Sequence, residues 1–281
     1  MNKKINCREI ANSIKLKIKD EILEQKINPC LEIIQVGTDF ASTKYINNKI
    51  KVGEELGVKI VLNKLSETIT QRQLLKLIQE KNDNPEVNGI LVQLPLPKHI
   101  EPKIIIEAID YNKDVDGFHP HHLGKLFIDN PSIVPATCRG VTHILDAIEL
   151  DLCGIDACVI GKSNIVGKPI VSYLLNKNAS VSVCSKSTKN LSQYTKNADL
   201  IIIAAGAPDL VNYHMVKKNS IILDIGINEK NGKITGDLAI SDKLINKIKL
   251  YTPVPGGIGL MTIVSLFENL LNLYKTQNKR K

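Results

Sequence analysis

The spacing of apolar residues changes period repeatedly along the chain, and each change marks an element boundary. Ile10, Ile14, Ile18, Ile22 and Leu23 recur among charged residues between positions 8 and 27, one face of a helix that Asn28-Pro29 ends. Leu31 to Gly37 reads as a short strand closed by a turn. Helical spacing resumes from Phe40 to Leu56, with Gly57 where a C-terminal cap belongs. Val58 to Leu62 reads as a strand, Thr70 to Glu80 as an exposed helix, and Asn88 to Leu94 as a third strand broken by Pro95 and Pro97. Strands alternating with helices predict parallel crossover units, hence an α/β domain.

The second half repeats the cadence with more apolar strands. Cys158 to Ile160, Leu200 to Gly206 and Ser220 to Gly226 have the runs of buried parallel strands, and Ser180 to Cys184 reads as a further strand between them. Val141 to Leu150 predicts a helix leading into this half, while the Pro and Gly of residues 110–130 predict a loop. From Thr252 to Gly259 so much Pro and Gly predicts no element. Thr262 is placed as the cap of a last helix, whose stripe is Ile263, Leu266, Phe267, Leu270 and Leu271.

The chain is organised around Val159 to Pro169. An apolar strand enters, Gly161 and Ser163 allow a tight turn, and beyond Gly167 a helix opens on Pro169. A turn of small residues at a helix N-terminus offers free N–H groups to a pyrophosphate. Its spacing is a relative of G-x-G-x-x-G, with Ser163 at the second glycine and the last glycine one residue late. At the end of the next strand, where a carboxylate usually receives the ribose hydroxyls, stand Ser185-Lys186-Ser187-Thr188. An ammonium there suits a 2′-phosphate, which tilts the expectation toward NADP, with NAD possible.

Composition narrows the class. With 281 residues, 43% hydrophobic and 23% charged, the chain suits one large globular domain or two ordinary ones. No apolar run reaches the roughly 18 residues of a membrane span, and the N-terminal residues lack a signal-peptide core, so a cytoplasmic protein is expected. Six cysteines without C-x-x-C pairs argue against a zinc ribbon. The histidines and acids from Lys113 to His122 match no metal-ligand spacing, and no metal is expected. The net charge of +8 is spread along the chain, without Trp and with four Phe, so nucleic acid is not an expected partner. Lys279-Arg280-Lys281 reads as a solvated end.

Ser42, Tyr45 and Lys49 fall at i, i+3 and i+7 of one helix and share a face, and Gln93 sits near a strand's carboxyl end, where ligands of open α/β sheets bind. An aromatic plane, a lysine and an amide would suit a flat, polar heterocycle, although by spacing alone a packing Tyr45 and a solvated Lys49 are the stronger expectation. Five strings in order then carry a resemblance: Ser42-x-x-Tyr45-x-x-x-Lys49, Gly89 to Pro97, Lys113-Asp-Val-Asp116-Gly117, Gly161 to Pro169, and Thr252 to Gly257. From about Arg8 to Leu271 the chain resembles the bifunctional methylenetetrahydrofolate dehydrogenase/cyclohydrolase family. The resemblance implies two α/β domains, the second a Rossmann-type NAD(P)-binding domain, with a folate cleft between them. It places residues 1–138 and 260–281 in the folate-binding catalytic domain and residues 139–259 in the NADP-binding domain. It implies a homodimer acting on tetrahydrofolate derivatives.

By position, Tyr45 and Ser42 would contact the folate, Asp116 would bind its pterin, and Lys49 would be the catalytic lysine assisted by Gln93. Pro255, Gly256 and Gly257 belong to a loop closing over the substrate. Gly161, Lys162, Ser163, Val166, Gly167, Lys186 and Ile227 would line the cofactor site. The family usually has arginine at Lys162 and His-Ser at Ser185-Lys186, so the cations holding a 2′-phosphate are differently arranged here. Pro135-Ala136-Thr137-Cys138 stands for a usual Pro-Cys-Thr-Pro, and Leu260 for a usual proline. A binding protein without catalysis, or a dehydrogenase of another small substrate, would leave these strings unexplained.

Overall fold

The computed structural model describes residues 3–230 and 232–278; the Lys279–Lys281 end lies outside them. The chain forms two compact units, one of Ser13–Lys125, Pro131–Ala136 and the residues from Ile263 on, the other of the residues through Asn12, Leu126–Asn130 and Thr137–Thr262.

The first unit carries α1 (Cys7–Glu24) from Ser13 on, β1 (Cys30–Val36), α2 (Phe40–Leu56), β2 (Lys59–Leu65), α3 (Gln71–Asp83), β3 (Gly89–Val92), α4 (Pro102–Ala108) and α5 (Pro120–Phe127) as far as Lys125. Its sheet is parallel, in the order β2-β1-β3. All seven residues of the central β1 are buried, as a strand covered on both faces requires. The polar Glu32 within it meets Lys81 Nζ at 2.9 Å. Leu31, Ile33, Ile46 and Leu91 pack with Leu266, Phe267 and Leu270 of the last helix, so the predicted apolar stripe becomes core.

In the second unit α6 (Ala136–Ala147), β4 (Asp156–Ile160), α7 (Gly167–Asn176), β5 (Ser180–Cys184), α8 (Leu191–Thr195), β6 (Leu200–Ile203) and β7 (Ile221–Asp224) follow in turn. They lead to a hairpin of β8 (Asn228–Lys230) and β9 (Lys233–Thr235), then α9 (Asp242–Lys247), β10 (Leu250–Tyr251) and the start of α10 (Ile258–Asn278), whose residues from Ile263 on belong to the first unit. Five parallel strands lie in the order β10-β7-β6-β4-β5, so the topology reverses between β4 and β6, where such sheets bind ligands. Ile5 donates its N–H to Tyr251 O at 2.9 Å, and Tyr251 its own to Lys3 O at 2.9 Å. The N-terminal arm thereby joins this unit, a placement that residues 1–138 read as one domain did not anticipate.

Two local expectations are corrected. Residues 110–130 are not all loop, because α5 starts on Pro120; proline in a first turn loses no helical hydrogen bond and starts a helix as readily as it ends one. Thr262 does not cap the last helix. That helix begins at Ile258, and the Thr262 hydroxyl donates back to Ile258 O at 3.1 Å from within it. Short polar elements such as the β8–β9 hairpin have no apolar period to betray them.

Candidate active site

Helix α2 is capped by Asp39, whose carboxylate accepts the Ser42 N–H at 2.7 Å. The cap fixes the phase of the helix, and Ser42 and Lys49 turn inward as their shared spacing predicts. Lys49 is 4% exposed, its ammonium 4.9 Å from the centre of the Tyr45 ring and 3.1 Å from Gln93 Oε1, to which it donates. Gln93 follows β3 and is itself held: its N–H donates to Ile34 O at 2.9 Å, and its Nε2 to Leu94 O at 2.7 Å. The amide therefore faces the lysine with its acceptor.

Asp116 completes the set, held by a braced backbone. Ile90 of β3 donates to Lys113 O at 2.7 Å, so the segment runs beside the strand. Asp114 accepts the N–H groups of Gly117 at 3.0 Å and His119 at 2.7 Å, while Asn269 of α10 donates to Val115 O at 3.0 Å. Gly117 has φ +72°, and a Cβ there would stand 2.9 Å from Pro135 N, so glycine is required.

Burial sets the electrostatics. Loss of water pushes the Lys49 pKa down from the ordinary lysine range, and the Asp116 charge pulls it partly back. Burial likewise raises Asp116, with Lys49 opposing. Asp114 is pushed up to about 7, first by burial and then by the Asp116 charge, against the N–H groups it accepts. A lysine whose amine is made easier to deprotonate, oriented by an amide and within the field of a carboxylate, has the surroundings of a proton-transfer group.

The other candidate residues lie in the second unit. β4 leads into Gly161, at φ +130°, where a Cβ would come within 2.4 Å of Ala204 O at the end of β6. At Gly167 a Cβ would fall 2.0 Å from Gly161 O. Both glycines thus let the turn, the neighbouring strand end and the start of α7 close on one another. The Ser163 hydroxyl accepts the N–H groups of Val166 at 3.2 Å and Gly167 at 3.4 Å, which holds the turn against the start of α7. Lys162 and Lys186 are exposed, as is Ile227. A glycine cradle at the switch point of a parallel sheet, with cations beside it, fits a phosphorylated dinucleotide.

One feature had no signal in the sequence. A cavity of about 400 Å³ in this unit is lined by Lys4, Asn6 and Arg8 of the N-terminal arm and by Pro253, Pro255 and Gly256. Gly257 is buried behind that loop, where a Cβ would meet Pro253 O at 2.3 Å. Scattered basic residues look alike in a sequence, and the arm is brought to the loop by its pairing with Tyr251. In the 110–122 region His121 stacks on Tyr111 with ring centres 4.1 Å apart, and His122 Nε2 lies 2.7 Å from Tyr111 O.

The second unit has the form of a dinucleotide-binding domain, and the first carries a buried lysine held by an amide beside an aromatic ring, the architecture of a two-domain dinucleotide-dependent enzyme. Residues 5–116 match the family model described as tetrahydrofolate dehydrogenase/cyclohydrolase, catalytic domain, and residues 135–278 match its NAD(P)-binding domain. The bifunctional protein FolD of Helicobacter acinonychis is 46% identical over 273 residues, covering 96% of this chain and 93% of that one. The FolD crystal structure from Campylobacter jejuni has a TM-score of 0.93 at 45% identity, over 98% of both chains. That of Trypanosoma brucei, complexed with NADP cofactor and inhibitor, has 0.94 at 29% identity, over 98% of both. This chain belongs to the tetrahydrofolate dehydrogenase/cyclohydrolase family. It is a bifunctional enzyme of one-carbon folate chemistry, as its five sequence strings implied.

Proposed function

We propose that the Lys49 set serves both reactions: oxidation of 5,10-methylenetetrahydrofolate to the 5,10-methenyl cation with NADP⁺, then hydrolysis to 10-formyltetrahydrofolate. The observation that carries this reading is the buried Lys49 ammonium between Gln93 and the Tyr45 ring. Held at the turn of Gly161 and Gly167, NADP⁺ would supply the acceptor for a hydride from the methylene carbon. Hydride loss leaves a cation, so this step needs orientation rather than a strong base. Tyr45 supplies a flat surface for the folate, and the Asp116 carboxylate accepts N–H groups of the pterin edge.

Hydrolysis needs proton transfer. Water adds to the methenyl carbon, the neutral Lys49 amine takes its proton, and the bond from that carbon to N5 breaks as a proton is returned to N5. One proton is released overall. Gln93 holds the amine's direction throughout, because its own amide is fixed by Leu94 O.

The test is an absorbance assay with 5,10-methylenetetrahydrofolate and either NADP⁺ or NAD⁺, following reduced cofactor and methenyl product separately. Reduced cofactor without methenyl build-up is expected; accumulation of methenyl would mean the hydrolytic step is not served here, and no reduction would remove the reading. Gly161, Lys162, Ser163, Val166, Gly167, Lys186 and Ile227 are proposed to line the cofactor, with Lys162 and Lys186 on the 2′-phosphate. Lys186→Ser is expected to raise the KM for NADP⁺ about tenfold with the KM for NAD⁺ unchanged, since NAD⁺ lacks the group that the ammonium meets. An equal change for both cofactors would place Lys186 elsewhere.

A cytoplasmic homodimer is proposed as the working form. Phe127 and Ile128 are 71% and 68% exposed, and Asn176, beside the exposed Leu175, donates to Leu126 O at 2.7 Å, which gathers apolar surface for a second copy. Light scattering decides the oligomeric state.

A further inference from the structure

Asp237 follows the β8–β9 hairpin, is fully buried, and has no part in the chemistry above. Its carboxylate gathers four donors. Oδ2 accepts the N–H groups of Ala205 at 2.8 Å and Gly206 at 3.0 Å; Oδ1 accepts that of Ala207 at 2.8 Å and Nδ2 of Asn228 at 2.8 Å. Three successive backbone N–H groups aimed at one carboxylate fix the turn that leaves the carboxyl end of β6. The fourth donor fixes Asn228, the neighbour of Ile227.

The space around this group is fully used. A Cβ on Gly226 would lie 2.2 Å from the Asp237 carboxyl group, and one on Gly236 would lie 2.0 Å from Asp224 Oδ2. Asp224 in turn accepts the N–H of Asp237 at 3.1 Å and of Leu238 at 2.9 Å, so the chain that bears Asp237 is itself tied to the end of β7. The turn so fixed begins at Ala204, whose carbonyl oxygen is the wall against which Gly161 packs. Ala204 also donates to Ile160 O at 2.7 Å. The path from Asp237 to the phosphate-binding turn is therefore continuous: carboxylate, turn 205–207, Ala204, Gly161.

We infer that Asp237 is a positioning residue for the dinucleotide: it holds the turn after β6 and the Ile227–Asn228 segment in the shape the cofactor meets, without touching the cofactor. The inference rests on the dinucleotide site described above. Four donors leave no lone-pair region for a neutral amide to use in the same way. Asparagine would keep the shape but turn an NH₂ group toward two of the N–H groups, leaving buried donors unpaired.

The experiment uses the whole enzyme and the variants Asp237→Asn and Asn228→Ala. NADP⁺ binding is read directly by titration, the dehydrogenase by its KM for NADP⁺ and its kcat, and the cyclohydrolase by decay of added methenyltetrahydrofolate, which needs no dinucleotide. Asp237→Asn is expected to weaken NADP⁺ by about tenfold or more through KM, with cyclohydrolase kcat within about twofold of the parent. Asn228→Ala, which removes one donor of the four, is expected to weaken NADP⁺ about threefold under the same control. A loss of both activities in parallel would show a merely structural role and overturn the proposal. So would NADP⁺ affinity within twofold of the parent in both variants. If Asp237→Asn is not recovered folded, Asn228→Ala decides alone. Failure of the parent enzyme to turn over folate would sink the proposed function but leave the NADP⁺ titration to judge Asp237.

Discussion

Lys49→Met is expected to abolish hydrolysis of the methenyl cation, by about 10²–10⁴-fold in kcat as for removal of a positioned proton-transfer group, while the folate still binds. Methionine has comparable length and fills the channel beside Tyr45, so stacking surface is retained and the water's proton loses its acceptor. Lys49→Gln should behave alike, because an amide cannot take that proton. Decay of methenyltetrahydrofolate, with folate affinity measured separately, checks both. Full hydrolytic activity in either variant would remove Lys49 from its role. A pH profile sharpens the assignment. Burial lowers the lysine pKa and Asp116 raises it, so the active neutral amine appears as pH rises through a value below the ordinary lysine range. Asp116→Asn removes the opposing charge, and the acid limb of kcat is expected to move to lower pH. A limb that stays in place would mean that another group titrates there.

Gly167→Ala carries the second large effect. The added Cβ would stand 2.0 Å from Gly161 O and 3.0 Å from Lys162 N, both main-chain atoms that no rotamer change can move aside. Either the start of α7 or the turn of Gly161 must shift, which costs about 1–3 kcal/mol or more in packing and disperses the N–H groups meant for the pyrophosphate. NADP⁺ affinity is expected to fall by about 100-fold or beyond measurement, while decay of methenyltetrahydrofolate continues. Gly124→Ala makes the same chemical change in α5, where nothing lies within 4 Å of the new Cβ. There it is expected to leave both activities intact and add about 0.5–1 kcal/mol of stability. Thermal unfolding and NADP⁺ titration of the pair separate available space from the substitution itself. Normal cofactor binding by Gly167→Ala would show that the turn is not the phosphate site.

Helix α2 and the turn of Gly161 were legible because their determinants are local. Tyr45 and Lys49 share a face through helical spacing, and strand, small residues and helix start follow one another within a dozen positions of the chain. The β4, β6 and β7 strands announced themselves as apolar runs because both faces of the inner parallel sheet are covered, whereas the edge strand β5 alternates serine with valine. The site at Asp116 was legible only through the family string, since nothing in Lys113-Asp-Val-Asp116-Gly117 tells which of two acids braces the loop and which faces the lysine.

The sequence by itself determined the class of fold, the order of its longer strands and helices, the family and the candidate chemistry, because periodicity and short strings depend on near neighbours. Tertiary structure decided which ionisable groups lose their water and whom they meet. Lys49 reaches Gln93 from 44 positions away, and Asp237 collects N–H groups from about 30. It also decided that Lys4 and Arg8 line a cavity with Pro255, through pairing of the N-terminal arm with Tyr251. A charge has no period, and its role is set by the burial and partners that distant segments supply when they pack.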